Sequence, residues 1–375
     1  MIMEFYRDKP FNSLPLLPPD ADIETKPILR QAIKASRELA HLKRSGELIP
    51  NQDVLINTIP LLEAQGSSEI ENIVTTTDKL FRLSSRESAE ADPATKEALR
   101  YRTALREGFL EIKRRPVSTK IMVTICRTIR NIDIDIRKTP GTKLANQATG
   151  EIIYTPPEGE VIIREKLANW ERFANEKSDI DPLIRMAVLH YQFEAIHPFS
   201  DGNGRTGRIL NILFLVQEGL IDLPILYLSG YFLRNRTEYY NLLHEVTEKE
   251  AWEQWILFML EAVEETARWT SEKIDAIRDL LSHTCEYVKE KLPKIYSREL
   301  VDNIFFQPYC RIENLVDAGI GKREAASKYL KALANIGILK EEKIGREKMF
   351  IHPAFLKLLT TDRNGIERYD FNKER

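Results

Sequence analysis

Cysteine is scarce in this 375-residue chain and long apolar runs are missing, and each absence removes a class of protein. The three cysteines, Cys126, Cys285 and Cys310, are odd in number and fall in no ligand-like spacing. They read as reduced thiols, which excludes a disulfide framework. No stretch of about 18 apolar residues occurs, and the opening "MIMEFYRDKPFNSLPLLPPD" has no basic stretch followed by an apolar core. A cytoplasmic address with no membrane partner is therefore expected. Net charge is also lacking. Lys plus Arg number 55 against 57 Asp plus Glu, so no global pull toward nucleic acid or membrane exists and any basic surface must be local. The length itself suffices for two or three domains.

What is present is dominated by helical periodicity, and the predicted fold class is mainly α. After the Pro-rich "SLPLLPPD", Ile28, Leu29, Ala32, Ile33, Leu39 and Leu42 recur at spacings that suit one helix face. A helix over roughly 51–65 is expected to stop at Gly66, with a separate short amphipathic helix in "SSEIENIVTTTDKLF". Two more helices span 94–112 and 118–132. The exception is 138–162, where Pro140, Gly141, Thr149 and Gly150 bracket short apolar pieces and Pro156 and Pro157 end the second, as in a β-hairpin.

Asp181 and Pro182 read as N-cap and first residue of "PLIRMAVLHYQFEAI", which is apolar nearly all round and belongs at the centre of its domain. A second apolar helix, "RILNILFLVQEGL", closes near Gly219. Residues 250–291 contain no breaker and form one long helix or two joined end to end, ended by Pro293. The segments "SRELVDNIFF", "RIENLVDAG", "GKREAASKYLKALANIG" and "ILKEEKIGREKMFIH" then read as three helices and a two-stranded wing, a winged helix-turn-helix. The expected division is an N-terminal helical region over 1–95, a core over 96–270, and a linker helix with winged helix over 271–375.

Between the two apolar helices stands "HPFSDGNGRTGR", residues 197–208. Its Gly-x-Gly-x-x-Gly from Gly202 to Gly207 has the spacing of a dinucleotide fingerprint, but a helix precedes it and no βαβ unit follows. A Walker loop fails for want of Gly-Lys-Ser/Thr, and a kinase loop for want of flanking strands and a later His-Arg-Asp. The stretch is still an anion site in physical terms. Backbone N–H groups of Gly202, Asn203 and Gly204 can line a concave nest, and the helix beginning near Arg205 adds the partial charge of its N-terminus. Arg205 and Arg208 lie three apart, so both guanidiniums can face one anion. Asp201 is an oxygen ligand placed to hold Mg²⁺ against phosphates. His197 supplies an imidazole able to take a proton from an attacking hydroxyl.

The stretch matches, at every specified position, the motif His-Pro-Phe-x-Asp/Glu-Gly-Asn-Gly-Arg-x-x-Arg, and in this the chain resembles the Fic family. The resemblance implies a helical core with a β-hairpin flap and transfer of AMP from ATP to a Ser, Thr or Tyr hydroxyl of a target protein. It implies His197 as general base, Pro198 shaping the loop, Phe199 as core anchor and Asp201 as the Mg²⁺ holder. Gly202, Asn203 and Gly204 would hold the α- and β-phosphates, and Arg205 and Arg208 the distal ones, with Thr206 and Gly207 in the same ATP-binding turn. "EIIYTPPEG" resembles the family flap, in which Ile153, Tyr154 and Thr155 would align an extended target by strand addition. "LSGYFLRNRTEYYNLL" resembles the segment beside the adenine, with Tyr239 and Tyr240 as candidates, of which one can be core because neighbouring helical residues point about 100° apart.

"SSEIEN" matches the family's inhibitory pattern, Ser/Thr-x-x-x-Glu-Gly/Asn, through Ser67, Glu71 and Asn72 in an expected helix near 67–80. By resemblance Glu71 would pair with Arg208 and keep it from the γ-phosphate. Alternative readings keep the fold but use another nucleotide or remove AMP, or make the chain a DNA-binding regulator with a nucleotide-sensing core. For the last, Lys322, Arg323, Lys328, Lys331, Lys340, Lys343, Arg346 and Lys348 face only four acidic residues, a local excess that could meet a DNA backbone. Winged helices equally serve protein docking or dimerisation, so a homodimer stays open.

Overall fold

Helices α1 (Lys26–Leu48), α2 (Asp53–Ile70), α3 (Thr77–Leu83), α4 (Pro93–Ile112) and α5 (Thr119–Arg130) precede a ribbon of β1 (Leu144–Ala145) and β2 (Ile152–Tyr154). Next come α6 (Glu160–Asn175), α7 (Pro182–Ile196), α8 (Asn203–Gln217), α9 (Leu228–Arg234), α10 (Arg236–Lys249) and α11 (Trp252–Lys291). The C-terminal part runs α12 (Arg298–Phe306), β3 (Tyr309–Cys310), α13 (Ile312–Asp317), α14 (Arg323–Asn335), β4 (Lys340–Ile344), β5 (Glu347–Ile351) and α15 (Pro353–Thr360). This computed structural model describes residues 5–49, 51–84, 91–145, 149–344 and 347–371. Arg346 of the wing, residues 146–148 of the hairpin and the initial "MIME" lie outside the described residues.

The centre is α7. Asp181 caps it by accepting the Leu183 N–H at 2.8 Å, and only Pro182 and Glu194 escape full burial among its fifteen residues. It packs on α6, α8 and α11, while α4 and α5 close over the other side of α8. Burial of such all-round apolar helices is the main stabilising term, since each large side chain removed from water contributes about 1.5–3 kcal/mol.

Four expectations change. On α1 the buried face is Ile28, Ala32, Ala35, Leu39 and Leu42, packed along α11, whereas Leu29 and Ile33 are exposed. The hairpin ends before residue 160, because Ile163, Leu167, Trp170 and Ala174 form the buried stripe of α6 and the Trp170 indole donates to the Leu189 carbonyl at 2.8 Å. Gly66 does not stop α2. It sits inside the helix with the Tyr227 ring so close that a Cβ would lie 3.2 Å from it, and the helix runs on to Ile70. Ser67 therefore occupies the last turn of α2, Glu71 is its C-cap, and no helix spans 67–80. Last, the wing has a third strand, since Tyr309 and Cys310 pair antiparallel with Ile351 and Phe350 in the order β3-β5-β4.

The segment 250–291 is one 40-residue helix. Its Lys273, fully buried, donates to the Leu358 and Thr361 carbonyls at 2.7 and 2.8 Å, capping the end of α15. The Tyr309 hydroxyl donates to Asp78 of α3, so the winged helix is also seated on the segment that follows α2. Within the winged helix Arg323 pairs with Glu313 at 2.9 Å, Lys340 with Glu342 at 2.7 Å and Lys348 with Glu341 at 2.6 Å. Among the described residues no helix is long and apolar enough to cross a membrane.

Candidate active site

The end of α7 makes the loop. His197 adopts φ 49°, its N–H still donating to the Phe193 carbonyl at 3.0 Å, and Pro198 then prevents the helix from continuing. Arg137 clamps this turn from outside. Its Nε donates to the His197 carbonyl at 2.7 Å, its Nη2 to the Ile196 carbonyl at 3.2 Å and to that of Pro157, and its backbone N–H to Pro198 at 2.9 Å. Phe199 is fully buried as the apolar anchor. Asn203 accepts the Phe199 N–H at 2.9 Å and donates to the Phe199 carbonyl at 2.8 Å. Its side chain thus ties the loop shut, so only its backbone is free for the phosphate role expected of it. Gly202 takes φ 86°, and α8 starts at Asn203, two residues earlier than expected.

The two arginines diverge. Arg208 donates through Nε to the Ser67 hydroxyl at 2.8 Å, and through Nη2 to the Ser67 carbonyl at 2.9 Å and the Glu71 carboxylate at 2.8 Å. Arg205 pairs instead with Glu97 and, at 3.4 Å, with Asp201. Arg130 completes a ring, contacting Glu97 at 2.7 Å and Asp201 at 3.0 Å. Where one shared anion is expected for Arg205 and Arg208, the structure pairs them with different carboxylates. They leave α8 on neighbouring faces, but the end of α2 supplies a carboxylate on one side and α4 supplies one on the other. Burial pushes the Glu71 carboxyl up, yet the adjoining Arg208, with Arg205 and His197, outweighs it and holds the group below its ordinary range. Glu97 behaves alike, burial being outweighed by Arg205 and Arg130.

His197 is half-buried beside this network. Burial, helped by Arg137, lowers its pKa to about 4, so the imidazole is neutral at physiological pH. Asp201 has a half-exposed carboxylate, and among the described residues no group of three His, Cys, Asp or Glu is arranged around a metal position. Gly207 is buried where α8 meets α7, and Thr206 is buried beside Cys126 of α5. Tyr239 is core. Its hydroxyl bonds the His190 ring at 2.8 Å and its ring stacks on Phe232 at 4.9 Å, whereas Tyr240 is 42% exposed and is the one of the pair open to a ligand. In the flap Ile153 is partly exposed, but Tyr154 points inward, its hydroxyl donating to the Ala195 carbonyl at 2.8 Å, and the Thr155 hydroxyl donates to the Arg7 carbonyl at 2.6 Å.

Arg137, Glu97, Arg130 and Glu194 join the site without having been singled out in the sequence. The first three come from other helices and loops with no local pattern. Glu194, three residues before His197, had the one available signal, as the sole acidic residue of a helix that is apolar nearly all round.

Residues 120–215 match the Fic/DOC family model and residues 29–110 the Fic/DOC N-terminal model. Residues 280–355 match the C-terminal domain of the SoFic-like protein adenylyltransferases. The probable protein adenylyltransferase aq_aa38 of Aquifex aeolicus is 29% identical over 188 residues, covering 48% of this chain and 53% of that protein. Protein adenylyltransferase fic-1 of Caenorhabditis elegans is 37% identical over 95 residues, covering 24% and 17%. The chain thus spans about half or less of these curated relatives. Among solved structures, a Fic family protein from Desulfovibrio desulfuricans G20 superposes with a TM-score of 0.53 at 17% identity, over 87% of this chain and 96% of that one. A segment of C. elegans Fic-1 gives 0.51 at 20% identity, over 68% and 74%. Both share the fold.

Proposed function

The chain belongs to the Fic/DOC family, and on that premise we propose that it is a protein adenylyltransferase whose Arg208 is held off the nucleotide by Glu71. The target hydroxyl oxygen attacks the α-phosphorus of ATP, the bond to pyrophosphate breaks, and His197 takes the hydroxyl proton. Its low pKa, about 4, leaves the imidazole neutral and ready to accept. The N-terminus of α8 and the backbone from Gly202 to Gly204 cradle the phosphates. Such transfer is mostly positioning and charge stabilisation, which this loop can supply without a covalent intermediate.

Asp201 suits Mg²⁺: it is a hard oxygen donor at the mouth of the nest, and magnesium commonly takes one or two carboxylates and completes its shell with phosphates and water. The bound ion would neutralise phosphate charge. For Asp201 to hold it, the pairings with Arg130 and Arg205 must loosen. Tyr240 is the surface for the adenine, with Tyr239 fixed behind it. The flap backbone around Ile153 presents the target segment.

The observation that carries this reading is the grip of Ser67 and Glu71 on Arg208 at the mouth of a nest that also holds His197. The paired wing charges favour a protein partner over DNA for the winged helix. The three cysteines, all free and buried, suit a cytoplasmic setting. Mass spectrometry of the Glu71→Gly protein incubated with Mg-ATP and cell lysate tests the function. A gain of one AMP on the protein itself or on lysate proteins, absent when His197→Ala is added, is the expected result, and no gain in any protein overturns it.

A further inference from the structure

Among the described residues, one carboxyl group in the site has a buried oxygen without a hydrogen-bond partner. Glu194 lies in the last turn of α7, four residues after His190 and three before His197, and its Oε1 is buried without a hydrogen bond among the described residues. The other acids of this region are matched. Glu63 accepts from the Ser229 N–H at 2.8 Å and the Tyr101 hydroxyl at 3.1 Å, Glu71 from Arg208, and Glu97 from Arg130. A buried carboxyl oxygen left unpaired is costly, and such a group calls for a ligand or a water.

The chain makes room for it. A Cβ on Gly207 would fall 2.6 Å from Glu194 Oε1 and 3.4 Å from His190 Cε1, so this face of α7 lies directly against the first turns of α8. His190 on the same face anchors Tyr239, which neighbours Tyr240 at 5.1 Å between ring centres. Glu194 acts electrostatically on Arg208 at one end and on Tyr239 and Tyr240 at the other. Through Gly207 it abuts the first turns of α8, and one turn back along α7 the His190–Tyr239 bond leads to the aromatic end of the site. The residue as a whole is only partly covered, although its Oε1 is buried.

We infer that Glu194 hydrogen-bonds the ribose hydroxyls of the bound nucleotide and selects ribonucleotides over deoxyribonucleotides. The inference rests on the nucleotide reading above. With phosphates on the N-terminus of α8 and the base beside Tyr240, the sugar has to occupy the space between them. A carboxyl group can bond ribose hydroxyls, as it does in dinucleotide-binding folds. Burial, opposed by Arg208 and helped by Glu71, raises this acid to about 8, so at neutral pH it is protonated and can both donate and accept.

Calorimetry on the full chain with ATP, 2′-deoxy-ATP, 3′-deoxy-ATP and inorganic triphosphate, each with Mg²⁺, tests this, because binding needs no turnover. Wild type is expected to bind ATP about tenfold more tightly than at least one deoxy analogue, the difference of one good hydrogen bond. Glu194→Ala should bring ATP to the level of that analogue and leave triphosphate within about twofold of wild type. Glu194→Met, which keeps the volume without polar atoms, gives the same readout if the alanine variant melts early. Unchanged discrimination in both variants, equal wild-type affinity for all three nucleotides, or a parallel loss of triphosphate overturns the inference while leaving the nucleotide site intact. Wild type that binds no nucleotide overturns the functional reading and this inference together.

Discussion

Arg208 and Glu71 stand 137 residues apart in the chain and 2.8 Å apart in the fold, with the Ser67 hydroxyl accepting from Nε of the same guanidinium and the Ser67 carbonyl sharing Nη2 with Glu71. The arginine is almost wholly buried and the glutamate about one-third exposed. Release is therefore asymmetric: Glu71 can swing outward at the end of α2, whereas Arg208 has nowhere to go but the nest.

From this geometry Ser67→Ala should raise AMP labelling, and Glu71→Gly should raise it further. The serine change removes one neutral acceptor, about 1 kcal/mol or a several-fold effect, and leaves the carboxylate in place. Initial rates with radiolabelled ATP rank the two variants. A larger rise for Ser67→Ala would assign the restraint to the serine rather than to the charge.

His197→Ala should lower transfer by about 10²–10⁴, the usual contribution of a positioned general base, without weakening nucleotide binding. The pH profile carries a second expectation. Because burial keeps His197 at about 4, the rate of the Glu71→Gly enzyme should not fall on the acid side near pH 6.5, where an ordinary histidine would titrate. A fall centred there would show that His197 is not the base or is not buried as described.

Stability should depend on pH through Glu63. Burial raises this acid from 4.5 to about 7, so the folded state keeps its proton where the unfolded chain has lost it. Its contribution is full below pH 4.5 and is lost as pH rises through about 7, a change on the order of 3 kcal/mol for this fully buried group. Glu63→Gln cannot ionise. Denaturant midpoints of wild type should therefore fall relative to the variant between pH 5 and pH 8, and parallel curves would mean that Glu63 does not titrate in this range.

Gly207→Ala should destabilise the protein by about 1–3 kcal/mol, since the new methyl would fall 2.6 Å from the Glu194 carboxyl and 3.1 Å from the buried Phe193 ring. Thermal unfolding measures it. Glu194→Ala in the same chain should recover part of the loss, because the overlapping atoms are then gone, and no recovery would place the strain elsewhere.

Local chemistry was legible in the residues themselves. The cap of Asp181 on α7, the all-round apolar character of that helix and the anion nest in 197–208 follow from side-chain type and spacing within a few residues, where backbone geometry alone brings the groups together. So does the order of the winged helix, although its third strand depends on two residues, Tyr309 and Cys310, too short a run to carry a period of its own. The stripe of α6 was hidden because Gly159 and the prolines before it read equally as the end of a hairpin.

Sequence alone thus determined which helices are buried, where an anion can be bound and which histidine stands beside it, since these depend on interactions within one or two turns. Where each charged side chain turns was decided only by the tertiary structure. Arg205 and Arg208 are three residues apart on one helix, yet Glu97 draws the first toward α4, while Ser67 and Glu71 draw the second toward α2. Gly66 shows the same limit. In isolation it is a helix stop, but packed under Tyr227 it lets α2 run one turn further and so carries Glu71 to the arginine. Long charged side chains follow the nearest buried partner, and that partner is supplied by whichever element the fold packs against them.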